Sequence, residues 1–349
     1  MIVDRLAPEQ HDTIADIPEP AESVRLVGHE EAVAQVAAAY RVGRLHHGLL
    51  LVGPAGVGKA TFAFQLAHHL LAHPRADDAP LAFETRNPAS PLYRQIAQGS
   101  HPAVLHLTRP FNDKTKTFRS AVTVDEIRRI GRFLGMTAHD GAYRIVIVDP
   151  ADDMNANAAN ALLKNLEEPP ARTLFVLIAH SAGSLLPTIR SRCQVIKFRP
   201  LAEGQLVEVL RGLNADLPGN PAALAAGAGG SVREALLLTE YGGLEIAQAV
   251  NDAVNRPSFD VGAAMRIADA VSARDAAVAF SLFNRATLDL VVDRARDAAL
   301  AGHADAAERL ARLWSDTERA IAEVETYNLD KKQHAVGLMH RVSQALAGR

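Results

Sequence analysis

The sequence predicts a parallel α/β domain built round a phosphate-binding loop, followed by a helical C-terminal half. Three observations predict it. From about Val24 to Phe198, short apolar runs alternate with helical patterns, the signature of a parallel sheet covered by helices on both faces. The first run leads straight into a glycine-rich turn, Gly53-Pro54-Ala55-Gly56-Val57-Gly58-Lys59-Ala60-Thr61. After Pro200 the strand signals stop and alanine-rich amphipathic patterns take over.

The runs are Gly48–Val52, Val104–Leu107, Ile145–Val148 and Leu174–Ile178, with Val195–Phe198 as a weaker fifth. Each is short and several are rich in β-branched residues, as buried strands are. Between the second and third, Thr123-Val124-Asp125-Glu126 reads as a capping box opening a helix whose inner face carries Ile127, Ile130 and Leu134. The stretch from His73 to His101, rich in Pro, Ala and Asp, reads as an insertion or long loop. A second capping box, Ser231-Val232-Arg233-Glu234, opens a short helix through about Leu238, and Gly242-Gly243 then breaks the chain. Leu282, Leu288, Val292 and Leu300, then Leu310, Leu313, Ile321 and Val324, mark the apolar stripes of the C-terminal helices. The expected division is 1–198 for the α/β domain, 199–243 for a small helical domain and 244–349 for the helical C-terminal domain.

Length and composition narrow the function classes. A chain of 349 residues has room for two or three cores. No stretch approaches the ~20 uninterrupted apolar residues of a membrane span. The first twenty residues carry acids and prolines rather than a basic and then an apolar segment, so no signal peptide is expected and the cytoplasm is the expected compartment. A single cysteine, Cys193, excludes an intrachain disulfide and a zinc site built on several thiolates. The formal charge of -3 argues against tight, sequence-independent DNA binding by the chain as a whole, though it leaves room for a local basic patch.

The glycine-rich turn has the spacing of a P-loop. Backbone N–H groups of such a loop wrap a phosphate, the helix N-terminus favours the anion, and Lys59 reaches the outer phosphate oxygens. Gly53, Gly56, Gly58, Lys59 and Thr61 are therefore candidate nucleotide contacts. The residue after the lysine, which in such loops carries a hydroxyl for Mg²⁺, is Ala60. A second phosphate-site element should be an apolar strand ending in an acid, and Ile145–Val148 followed by Asp149 supplies it. Next to it stands Pro150, where an ATPase of this class commonly has a glutamate to polarise water, and a proline cannot act as a base. Asp152 and Asp153 lie near but start from different backbone positions. ATP or ADP with Mg²⁺ stays open as a bound ligand, and hydrolysis is not expected.

The run from Asn157 to Pro170, Asn-Ala-Ala-Asn-Ala-Leu-Leu-Lys-Asn-Leu-Glu-Glu-Pro-Pro, together with Leu186-Pro187-Thr188-Ile189-Arg190-Ser191-Arg192-Cys193, resembles the AAA+ clamp-loader subunits of the bacterial replicative polymerase. The resemblance extends over nearly all of the chain. It implies an AAA+ fold with a helical lid and a C-terminal collar for oligomerisation. It also implies a role for Arg192 in trans, at the ATP held by a neighbouring subunit, where a planar guanidinium suits γ-phosphate oxygens. Apart from the resemblance, Arg190 and Arg192 read as cations near a helix C-terminus. Leu26-Val27-Gly28-His29-Glu30 matches the segment beside the adenine, Arg44-Leu45-His46-His47 precedes the first strand as in the family, and His180 and Ser181 stand where a first sensor residue sits. Arg233 matches the second sensor arginine and reads equally as a helix-surface residue.

Ala60 and Pro150 are departures that resemble the delta-prime type rather than the ATP-hydrolysing gamma/tau type, as does the absence of a long C-terminal extension. What this implies is a largely non-catalytic chain within a polymerase assembly, with gamma/tau-like and delta-like partners, reaching the sliding clamp and primer-template DNA through the complex and no membrane. The family's four-cysteine zinc module has no counterpart between Ala72 and His101, so zinc is not expected. The histidines at 46–47, 68–69 with 73, and 101 with 106 read as solvated helix-end residues, since no HExxH acid accompanies them. Two other classes remain: an active AAA+ ATPase of gamma/tau or remodeller type, and an unrelated P-loop transferase, which leaves the Ser-Arg-Cys run unexplained.

Overall fold

The computed structural model describes residues 5–135, 143–215, 217, 221–256, 258–273, 276–327 and 329–347. They form two compact units, residues 1–214 with 221–233 and residues 215–220 with 234–349.

The first unit is organised by five strands, β1 (Gly48–Val52), β2 (Val104–Leu107), β5 (Arg144–Val148), β6 (Thr173–Ala179) and β7 (Gln194–Lys197), in the order β2-β5-β6-β1-β7. Every pairing is parallel. Because side chains alternate along a strand, two cores form from the same residues. Leu49, Leu51, Ile145, Ile147, Val176 and Ile178 pack beneath α1 (Glu30–Arg41) and α2 (Lys59–Ala72). On the other face, Leu50, Val146, Val148, Phe175 and Leu177 pack with α4 (Val124–Gly135) and α5 (Ala156–Glu167). All seven residues of β6 are buried, so the central strand has no solvent face, which is why it reads as an unbroken apolar run. In α4, Ile127 and Ile130 face inward as expected, joined by Phe133.

The 73–101 stretch is more ordered than its composition suggests. It contains a 3-10 turn at Ala76–Asp78 and helix α3 (Pro91–Ala97). Ser90 caps α3 by accepting the Tyr93 N–H at 3.1 Å, and Pro91 occupies the first turn. Arg86 is buried, donates to the Ser23 carbonyl and lies 5.2 Å over the Tyr93 ring. A further hairpin, β3 (Phe111–Asn112) with β4 (Thr117–Phe118), follows β2. Beyond β7 come α7 (Glu203–Gly212), α8 (Pro221–Gly227) and α9 (Val232–Glu240).

The second unit is helical: α10 (Gly243–Val254), α11 (Val261–Val271), α12 (Ala277–Leu300), α13 (Ala304–Tyr327) and α14 (Lys331–Leu346). Its core gathers Val250, Val254, Ala268, Phe280, Phe283, Val291, Leu338 and Met339. Val292 and Leu300, expected on the stripe, point to solvent instead. Val292 is 44% exposed and Leu300 82% exposed, while Val291 takes the inward position. Charged residues at 285, 289, 293, 294, 296 and 297 ring this alanine-rich helix, so the apolar pattern leaves its phase open by one residue.

Candidate functional site

In a parallel sheet every strand ends on the same edge, so the residues that follow β1, β5 and β6 converge there. The loop after β1 carries Gly53 to Lys59, β5 delivers Asp149, and β6 delivers His180 and Ser181. The sheet topology thus brings together the P-loop and a strand-end acid about ninety positions apart in sequence.

The loop glycines are required by close approach. A Cβ on Gly53 would lie 2.3 Å from the Phe198 carbonyl oxygen, and one on Gly56 would lie 2.4 Å from both Arg233 Cβ and Ser231 Oγ. Gly58 caps the N-terminus of α2. Two contacts hold the loop from outside. The Val232 N–H donates to the Gly56 carbonyl at 2.9 Å, and the His29 ring, Nε2 2.7 Å from the Val57 carbonyl, bonds the next residue but one before Lys59. Burial lowers the His29 pKa, so a neutral ring donating from Nε2 is the form that satisfies the carbonyl.

Lys59 is 4% exposed. Its Nζ donates to the carbonyls of Gly53 at 2.7 Å and Pro54 at 2.5 Å, and burial brings its pKa down to about 8, opposed by Asp149 and Asp152. Asp149, half-buried, is pushed up to about 7 by burial and then by the Asp12 carboxylate, against Lys59 and His180. Lys59 and Asp149 feel each other's charge, yet no ion pair within 4 Å joins them. Thr61 lies in the first turn of α2 and Ala60 packs on the core.

The two carboxylates beyond Pro150 are both committed. Asp152 accepts the His180 N–H at 2.8 Å, with the ring Nδ1 3.1 Å from the same oxygen, and Asp153 pairs with Arg109 at 2.5 Å. The hydrogen bond to Asp152 raises the His180 pKa against burial. Burial alone would raise Asp152, but the bonds from His180 together hold it low. His180 thus serves as a partner for Asp152.

Arg233 stands beside the P-loop, where its guanidinium donates to the Asp12 carbonyl and pairs with the Asp12 carboxylate at 3.4 Å. Sequence reasoning missed Asp12, which no motif marks. Arg192 lies away from these residues, in the turn between α6 (Pro187–Arg190) and β7. It donates to the Thr188 carbonyl at 2.9 Å and pairs with Glu167 at 2.8 Å. Arg190 donates to the Ala182 carbonyl at 3.3 Å. Cys193 is half-buried and burial pushes its thiol up to about 11, so it is a packing residue rather than a reactive one.

The histidine expectation needs correction at His69 and at His106, which sits half-buried in β2 against the Phe64 ring with its Nε2 buried and unpartnered among the described residues. His69 is 3% exposed, packed against Tyr40, Phe83 and His73, with neither ring nitrogen hydrogen-bonded among the described residues. It lies on the inner face of α2, which the sequence pattern of adjacent histidines hid. Among the described residues no cluster of three His, Cys, Asp or Glu side chains has the geometry of a metal site.

The family model for the DNA polymerase III delta subunit matches residues 28–202, half of the chain, including every candidate above except Arg233. The DNA polymerase III subunit delta' of Pseudomonas aeruginosa is 40% identical over 147 residues, 42% of this chain and 41% of that one. The chain belongs to the DNA polymerase III delta-prime family. Its relative from Bacillus subtilis is 34% identical over 196 residues, 56% of this chain and 54% of that one, and the delta' subunit of Escherichia coli is 30% identical over 217 residues, 58% and 61%. The chain therefore matches about half the length of its curated delta-prime relatives. Among the described residues no helix is long and apolar enough to cross a membrane.

Proposed function

We propose that this delta-prime family member is a clamp-loader subunit that does not hydrolyse ATP itself and donates Arg192 to the ATP site of a neighbouring subunit. The observation that carries the first half is the donor set at the strand edge. A hydrolytic Mg²⁺ site of this class uses a hydroxyl after the P-loop lysine, a strand-end carboxylate and a water-polarising acid. This chain offers Ala60, an Asp149 that burial pushes up to about 7, and Pro150, while Asp152 and Asp153 are held by His180 and Arg109. The loop glycines and Lys59 fit phosphate binding, but the metal-binding and base functions do not fit. Lys59 would have to exchange two carbonyl partners for phosphate oxygens.

For Arg192, the intrachain pair with Glu167 decides how readily it is lent to a partner. The pair is half-exposed, with side-chain accessibilities of 35% and 50%, and pairs of that kind contribute roughly 0–1 kcal/mol. Releasing it costs little against the charge-assisted bonds a phosphate offers. Partners resembling gamma/tau and delta subunits, with the clamp and primer-template DNA reached through them, follow from the same reading, as does a collar role for the helical unit.

The test is ATP turnover by the purified chain beside co-purification with gamma/tau and delta subunits. No turnover above background and a stable complex are expected. Turnover typical of an AAA+ motor would instead make the chain an ATPase in its own right. Ala60→Ser together with Pro150→Glu supplies the hydroxyl and the water-polarising acid, so turnover should rise above the parent's; no rise at all would show that these two positions are not the whole cause.

A further inference from the structure

The β3–β4 hairpin carries chemistry that the nucleotide site does not use. It leaves the C-terminal end of the edge strand β2, and its base is fixed to the sheet by the Arg109–Asp153 ion pair at 2.5 Å. Between Thr108 and Arg119 there are four basic residues and one acid, in a chain whose overall charge is negative. Lys114, Lys116 and Arg119 are exposed, and none pairs with a described carboxylate. Phe111 is 48% exposed and packs edge-on against Phe118, ring centres 5.1 Å apart. The turn is built locally: the Lys116 N–H donates to the Asn112 carbonyl at 2.8 Å, the Lys114 N–H to Asn112 Oδ1 at 3.0 Å and the Arg119 N–H to the Pro110 carbonyl at 2.9 Å.

One feature is unfavourable on backbone grounds. Lys116 has φ 55, a left-handed conformation that favours glycine or asparagine and disfavours other side chains. A lysine held there costs the fold some stability, and strain of this kind concentrates where a side chain is needed for a contact. Nearby acids do not account for it, since Asp113 is the only one in the hairpin.

We propose that this hairpin is a binding site for single-stranded nucleic acid, with Lys114, Lys116 and Arg119 on phosphates and Phe111 under a base. Aromatic faces set among cations are the recurring platform for unpaired bases, because every base has a face to stack. A duplex hides those faces, so an exposed phenylalanine favours a single strand. An acidic protein would meet the cations but gives the ring no such partner. The contact belongs to this chain alone and goes beyond its assembly with other subunits.

The experiment is anisotropy of fluorescein-labelled oligo(dT) with the full chain, titrated across salt. Three phosphate contacts predict a slope of log affinity against log salt of about -2, at about 0.7 per contact for single strands. Phe111→Ala should weaken binding by about 5- to 100-fold with the slope unchanged. Lys114→Gln with Lys116→Gln and Arg119→Gln should flatten the slope. Lys116→Asn alone should bind more weakly while melting no lower than the parent, since asparagine suits the turn; this variant separates lost contact from lost fold. Absence of salt-dependent binding by the parent, equal binding by the variants, or preference for a duplex of the same sequence length would overturn the proposal. So would hairpin-dependent capture of an acidic protein without oligonucleotide binding. None of these outcomes bears on co-purification with gamma/tau and delta subunits, so the two readings fail separately.

Discussion

At position 152 a carboxylate sits close to the strand-end acid and is kept from acting as a base by its neighbour. Asp152 receives two hydrogen bonds from His180, whose ring is raised toward the protonated form while the carboxylate is held low. The sign of the pH dependence follows. His180 gains affinity for its proton on folding, so its contribution is fully present below about pH 6.5 and is lost as pH rises through the raised value. Asp152 loses its contribution only as pH falls through its depressed value, below the ordinary carboxylate range. His180 is nearly half exposed, which limits the effect to about 0.2–1 kcal/mol. His180→Ala should therefore be less stable than the parent at about pH 5–6 by that amount, with the gap closing above about pH 7. Urea midpoints at the two pH values measure it, and a gap that widened with pH would show that the pair is not what stabilises the strand edge. Arg233 illustrates the same scale. A resemblance marked it as a sensor, whereas its partner Asp12 lies 221 residues away and no local pattern connects them.

Helix α2 joins the P-loop to the core and carries a histidine on its buried face. Burial, and secondarily the charge on His73, brings the His69 pKa down to about 4. An unfolded chain binds that proton near pH 6.5, so stability is lost as pH falls from about 6.5 toward about 4, by up to roughly 3 kcal/mol. His69→Leu should remove much of this acid sensitivity, read as a smaller drop in melting temperature between pH 7 and pH 5. An equal drop in both proteins would place the acid lability elsewhere, for instance at His68 or His106, which burial also lowers to about 4. The elements themselves were legible where a strong pattern had length. β1 and β2 match their apolar runs residue for residue, and β5 and β6 extend theirs by one or two. The β3–β4 hairpin was not legible, because strands of two residues carry no periodicity to detect. The 73–101 stretch was read as a loop from its Pro, Ala and Asp content, and Ser90-Pro91, which starts α3, is a helix-start signal that composition alone passes over. In the site, Gly53 to Lys59 and Asp149 were legible through spacing alone, while the clasp of His29 on the loop and the carbonyls round Lys59 depend on backbone geometry that spacing does not encode.

Across the whole molecule, the family match together with Ala60 and Pro150 supports the proposal that this chain acts on a neighbour's nucleotide rather than on its own. Arginines supplied in trans contribute roughly 10³- to 10⁵-fold in rate, or ~4–7 kcal/mol, at the one site they serve. Arg192 held merely as a helix-end cation would contribute only about 0.3–1 kcal/mol to stability. These magnitudes are far enough apart for one experiment to separate them. Clamp loaders reconstituted with the parent, Arg192→Ala and Arg192→Lys, each first shown to be fully assembled, would be assayed for ATP turnover and for clamp loading on primed DNA. The account predicts a partial fall in turnover with Arg192→Ala, since the other ATP sites keep their own arginines, and a larger fall in loading. It also predicts poor rescue by Arg192→Lys, since an ammonium cannot reproduce the guanidinium fork. Loading by the Arg192→Ala complex at the parent's rate would contradict the account, leaving this chain a structural member of the ring with no hand in its neighbour's chemistry.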